Sequence, residues 1–433
     1  MVPFRLAHRR QAYTRALHPV YLRELKEGCE RAKTVLKGKK DEKDDGPRRQ
    51  QFDAAFNELL SEVIPSRIAE HEFCDTYFIG KGEEQPDGDT GGGHGRLGRV
   101  RSSDVPRHGS VSLGQSRENE ILAGLFEGTG SEILAFVEVA QKHDGFNIVS
   151  IMCRLQQISE TTSSKPLLRK PISLCLKQVR MRFDVYINSV NKAIEEAKTP
   201  AKKQFGIFLF CDRFAATIGH MEKVVTGAGD SLASRNLVDR AMIQLTETVM
   251  ASIDRISNEC KYHEVAVFEN YHHLHDSLSK LKVTCLQSYR TTAQEKYRES
   301  LNLYVSSILG RPLEKLSAFF EAIERLIQAG TKPEEVGYQM AFSKQELRKV
   351  IAQYPGKEVK KNLEAMYRRV DRHLCDEERL LEVVWHNIQQ EFVKQYNRFE
   401  ELIAKCYPSS PYVLEFDVND LLSYFNTIAQ TKS

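Results

Sequence analysis

Between Leu363 and Ile403 the large apolar residues fall at Leu363, Tyr367, Val370, Leu374, Leu381, Trp385, Ile388, Phe392, Tyr396, Phe399 and Ile403. With Glu377 occupying one step, that is 40 residues in 11 steps, a mean of about 3.64. A straight α-helix repeats every 3.6 residues and a left-handed supercoil every 3.5. The stripe therefore predicts a straight helix packed in a bundle, not one zipped to a copy of itself. Read as one helix over about 357–407, it would extend roughly 75 Å at about 1.5 Å per residue. No compact domain is that wide, so the expected object is a rod.

The segment before it carries a start and a stop. Ser343 and Glu346 form the S-x-x-E pattern of a capping box, with Phe342 and Leu347 placed for a hydrophobic staple. Pro355-Gly356 then ends that helix. The same grammar runs through most of the chain. Helical spacing covers about 117–142, 146–160, 170–198, 203–225, 235–258, 262–308, 313–329, 333–353 and 418–430. Breakers fall at or near the ends of these stretches: Gly145, Pro171, Pro200, Gly227 with Gly229, Gly310 with Pro312, Gly330 with Pro333, and Pro408 with Pro411. No sustained apolar–polar alternation calls for a sheet. The expected fold is all-α, an elongated rod of stacked helix bundles.

Upstream, residues 4–37 have mostly helical spacing, and 51–79 form a second helical stretch, expected to bend or break at Pro65. Residues 80–116 hold ten glycines and almost no large apolar side chains, too little apolar surface to order themselves. They read as a flexible insertion; Ser102 and Ser103, after Arg99 and Arg101, are candidates for phosphorylation. The expected organisation is therefore 1–79 as the N-terminal helical segment, 80–116 as the insertion, 117–260 as a middle bundle and 261–433 as a C-terminal bundle.

Charge narrows the partners. A net charge of +3 is too balanced for bulk nucleic-acid binding. Residues 1–49, however, carry 14 Lys/Arg against 7 Asp/Glu, a local +7, which could meet an acidic lipid or an acidic protein. The longest strongly apolar run, Phe205–Phe210, falls far short of the roughly 20 residues of a membrane span. Nine cysteines are never closer than 22 residues, which excludes a CxxC site and reads as reduced, mostly buried thiols of a cytosolic chain.

A search for chemistry returns little. His263, His272 and His275, with Glu269 and Asp276, are the one cluster resembling a metal site. The cluster lacks HExxH and has no cysteine at ligand spacing, so it reads as helix-surface histidines. Glycines in 80–116 lack the strand, helix and GK[ST] of a phosphate loop, and no GxSxG elbow occurs. Glu334-Glu335, Glu377-Glu378 and Glu400-Glu401 sit in helical charge patterns, as on a solvated face. No catalytic residue, cofactor site or metal site is assigned, and the residue pattern names no binding residues.

Beyond periodicity, ENYHHLHDSLSKLKVTCL (269–286), SSILGRPLEKLSAFFEAIE (306–324), the whole of 338–408 and the tail FDVNDLLSYFNTIAQ resemble the C-terminal half of the exocyst complex component 1 family, the Sec-three vesicle-tethering subunits. The resemblance is closest over 262–433, fainter over 1–79 and 117–260, and absent from 80–116. It implies a helical rod and a non-catalytic role in the octameric exocyst, which docks post-Golgi secretory vesicles at the plasma membrane before SNARE-mediated fusion. It also implies a cytoplasmic protein recruited to that membrane, with other exocyst subunits as partners. Family members bind phosphoinositide and Rho-type small GTPases through an N-terminal pleckstrin-homology-like domain, followed by a coiled-coil assembly region. Neither pattern is seen in these residues, so the expectation is a fragment, a short isoform or an incomplete gene model, and no binding residues are carried over. The alternative reading is a peripheral lipid-binding helical module that uses the basic segment 1–49.

Overall fold

The computed structural model describes residues 2–36, 46–79, 122–198, 206–229, 231–309, 312–375, 380–408 and 410–432. The described residues are all-α, with no strand among them. Helices α1 to α5 are Val2–Leu36, Gly46–Cys74, Thr129–His143, Asn147–Thr161 and Pro166–Glu195. Helices α6 to α10 are Leu209–Gly227, Leu232–Asn258, His263–Leu281, Gln287–Leu309 and Glu314–Gln328. The last five, α11 to α15, are Pro333–Val336, Lys344–Ile351, Gly356–His373, Leu380–Cys406 and Val418–Lys432. The insertion 80–116, with Ser102 and Ser103, lies outside the described residues.

The chain divides into two units, Met1–Lys192 with Gly219–Met242, and Ala193–Ile218 with Ile243–Ser433.

In the first unit α1 packs on α2 and α3, and α4 packs on α2 and α3. Phe52, Phe56 and Phe136 stack nearly parallel, with centroids 5.6–6.2 Å apart. Between α1 and α2 runs a polar seam. Arg67 is almost wholly buried, its guanidinium 4.5 Å over the Tyr21 ring, and it donates to the Tyr21 carbonyl at 2.6 Å. Tyr13 and Tyr21 both donate to Glu70, at 2.5 and 2.6 Å. A buried cation without such partners would cost far more than it contributes. Helix α2 continues through Pro65, so of the bend or break expected there the break does not occur. Val63 and Arg67 are buried on either side, and tertiary burial outweighs the one backbone hydrogen bond that proline removes. Pro171 likewise lies inside α5. There α3 comes so close that a Cβ on Gly130 would stand 3.2 Å from the Pro171 carbonyl oxygen.

In the second unit α8 and α9 form a tight pair, α9 packs on α14, and α13, α14 and α15 pack on one another. Trp385 lies in its core at 5% exposure, edge-on to Tyr367 at 4.9 Å and 4.7 Å from the Phe425 ring. Its Nε1 donates to the Phe425 carbonyl at 3.2 Å. Ser343 caps α12 as the S-x-x-E pattern predicts, accepting from the Glu346 amide at 3.4 Å.

Two long helices expected from the sequence are broken. The stripe at 363–403 belongs to two helices, α13 and α14, and not to one helix over 357–407. Helix α13 stops because Leu374 turns to extended backbone, φ −88° and ψ 155°. The next amide, on Cys375, donates to the carboxylate of Glu269 at 2.7 Å. A buried carboxylate from α8 takes the donor that a continuing helix would have used. The expected helix 262–308 is also two, α8 and α9. Lys282, at φ +54°, reverses the chain while its amide still bonds the Leu278 carbonyl at 3.2 Å.

Candidate interaction surfaces and polar cavities

The histidine cluster read from the sequence is scattered over separate surroundings. His272 packs its ring 5.1 Å from Tyr297. His275 Nε2 lies 3.5 Å from the Ser279 hydroxyl, and burial, then His272 and Arg290, hold its pKa below the ordinary value. Asp276 pairs with Lys280 at 2.5 Å. Glu269 is the buried anchor of the Cys375 amide. Among the described residues no three such side chains gather as metal ligands. His263 stands apart, at the start of α8. It lines an open cleft of about 310 Å³ in the second unit with Asp254, Lys296, Glu299 and Leu303. There Lys296 is already paired to Asp254, and Asp254 also accepts from the Tyr271 hydroxyl at 2.8 Å. The cleft thus satisfies its central charges internally.

Asn270, next to Glu269, is a structural residue that pattern reading passed over. It is fully buried, accepts from the Phe208 amide at 2.8 Å and donates to the Ala266 and Gly206 carbonyls. A buried amide on the apolar side of a helix was the available signal, since such a group must find partners.

The first unit holds a smaller cavity of about 120 Å³, lined by Asp53, Ser150, Arg154, His220 and Lys223 among others. Burial raises the Asp53 carboxyl above its usual value, against the hydrogen bond from Ser150 and the nearby arginines. Burial, with Arg49 and Lys223, lowers His220. Three buried cysteines are inert. Burial pushes Cys29 up to about 11 and Cys153 and Cys175 to about 12, so the reactive thiolate is not formed near neutral pH.

The basic N-terminal segment is less free than its count suggests. Lys26 pairs with Glu132 at 3.4 Å, Arg31 with Glu62 at 2.5 Å and Arg49 with Asp144 at 2.5 Å. Lys33 pairs with Glu30 at 2.6 Å, and Arg10 is buried and donates to the Phe78 carbonyl. Three of these acids lie beyond residue 49, so a charge tally confined to 1–49 could not see them.

What the described residues present is long helices with outward faces. Residues 109–409 match the family model described as Exocyst complex component Sec3, C-terminal. The chain belongs to that family.

Curated relatives agree. The chain is 36% identical over 394 residues to Exocyst complex component 1 of Mus musculus, covering 88% of this chain and 43% of the relative. It is 33% identical over 413 residues to Exocyst complex component 1 of Drosophila melanogaster, covering 88% of this chain and 44% of the relative. A plant relative, Exocyst complex component SEC3A of Arabidopsis thaliana, is 29% identical over 297 residues, covering 67% of this chain and 32% of the relative. The chain thus spans less than half the length of these Sec3-family relatives. No solved structure matches it. No helix of the described residues is long and apolar enough to cross a membrane.

Proposed function

We propose that this Sec3-family chain is a non-catalytic subunit of the exocyst, acting through its helical faces in the docking of secretory vesicles at the plasma membrane. The observation that carries the reading is the family match across 109–409. Helix bundles with charged outward faces accord with a binding role. The protein works in the cytoplasm and reaches the plasma membrane through its partners. Mixing the purified chain with the other exocyst subunits and following co-elution tests this directly. Co-elution with at least one subunit at micromolar concentration is expected; a chain that always elutes alone overturns the reading.

The lipid-binding alternative rests on the charge of residues 1–49, of which Lys26, Arg31, Lys33 and Arg49 are paired within the chain. Co-sedimentation with phosphoinositide vesicles should therefore be weak and lost at physiological salt, as expected for diffuse charge. Tight, salt-resistant binding would favour the lipid-binding module instead.

A further inference from the structure

Helix α5 is apolar on both sides. Its inner side buries Ile172, Cys175, Leu176, Val179, Phe183 and Ile187 in the first unit. On its outer side Leu174 is 65% exposed, Met181 55% and Val185 66%. These three do not lie at random. With the exposed Gln178 and Asn188 they occupy 174, 178, 181, 185 and 188, steps of four, three, four and three. That is the 3.5-residue spacing with which one helix receives another along a knobs-into-holes seam. Scattered exposed apolar residues need no explanation, whereas an aligned row marks a contact surface.

Charge says what kind of helix fits. The edge of the seam carries Lys170, Lys177 and Asp184, all exposed, and no ion pair holds either lysine among the described residues. On the opposite edge Arg182 is paired with Glu138 at 2.5 Å. Helix α5 as a whole has six Lys/Arg against two Asp/Glu. A net-basic helix is disfavoured against a second copy of itself, while an acidic helix would complement it.

We propose that the outer face of α5 is a docking seam for an acidic amphipathic helix of another exocyst subunit. This rests on the reading of the chain as an exocyst subunit and adds which face is used and what chemistry it selects. The partner helix would carry apolar residues at 3.5-residue spacing, with Asp or Glu set against Lys170 and Lys177.

The test compares the full chain with two variants, one combining Leu174→Ser, Met181→Ser and Val185→Ser, the other combining Lys170→Glu and Lys177→Glu. Each is titrated against the purified remaining exocyst subunits. Because all five side chains face outward, both variants should melt with the parent, which verifies that they fold. The apolar variant should lose about tenfold or more in affinity, as when contacts central to an interface are truncated. The lysine variant should bind more weakly at low salt and show a flatter salt dependence. A photo-crosslinking residue at Met181 should join to an acidic helical segment of another subunit. If the parent binds and both variants bind equally well, this proposal falls while the exocyst reading stands. If the parent binds no subunit, both fall. Crosslinking to a second copy of the chain, or to a basic segment, overturns the acidic-partner assignment.

Discussion

Helix α5 in the first unit and helix α13 in the second bury similar inner faces but end differently at the surface. The outward positions of α13 include Lys357, Lys361, Arg368, Asp371 and Arg372. Lys361 and Arg368 sit 3.7 and 3.9 Å from Glu358 and Glu364 one turn away. Water is an adequate neighbour for such a face. Helix α5 instead shows water a row of Leu, Met and Val. A helix whose only neighbours are its own core and solvent needs one apolar side; a second apolar side implies a second neighbour.

The comparison can be broken most severely at its shared premise, that the inner faces are cores. Trp385→Asp removes a large side chain that packs from α14 against Tyr367 of α13 and Phe425 of α15, and leaves a charge in its place. It should cost at least about 4 kcal/mol, read as a large fall in the thermal midpoint of the second unit. An unmoved midpoint would mean that the stripe is not a core. On α5 itself the two sides can be set against each other. Phe183→Ala, on the inner side, should cost about 3–5 kcal/mol. Val185→Ala, two residues on and facing out, should stay within about 0.5 kcal/mol. Equal costs would show that the outer row is buried, and that α5 and α13 do not differ.

Smaller effects sharpen the picture of each unit. Ser343→Ala removes the cap of α12 in the second unit and should cost about 1 kcal/mol, measured by denaturant melts. In the first unit, burial holds His71 and His220 below the ordinary value of 6.5. Unfolded, these histidines take up protons as pH falls through about 6.5; folded, they resist until lower pH. Stability is therefore fully present above about 6.5 and declines as pH drops below it. Asp53, raised by burial, acts oppositely, its cost appearing as pH rises above its unfolded value of 3.8. Replacing both His71 and His220 with Gln should leave a shallower loss of thermal midpoint between about pH 7.5 and pH 5.5. An unchanged slope would show that these histidines are not buried neutral.

Much of this molecule was legible before any coordinates. Helical spacing and breakers identified an all-α chain, and several ends fall at the named breakers: α6 ends at Gly227, α9 just before Gly310, and α14 just before Pro408. Ser343 announced its own cap. These features are local, depending on one residue's backbone freedom or on a side chain three positions from its partner. The family, too, was legible in quoted segments of the chain.

What only the tertiary structure decided involves groups far apart in sequence. The split of 357–407 depends on Glu269, 106 residues from the amide it captures. Counting Glu377 as an empty step concealed the break, because seven residues from Leu374 to Leu381 are also two helical steps. The charge of 1–49 depends on Glu62 in α2, Glu132 in α3 and Asp144 just after α3. The docking row on α5 became visible only when burial separated Leu174, Met181 and Val185 from the apolar residues between them. Periodicity records that a residue is apolar, but which of two apolar sides faces the core depends on what packs against the helix.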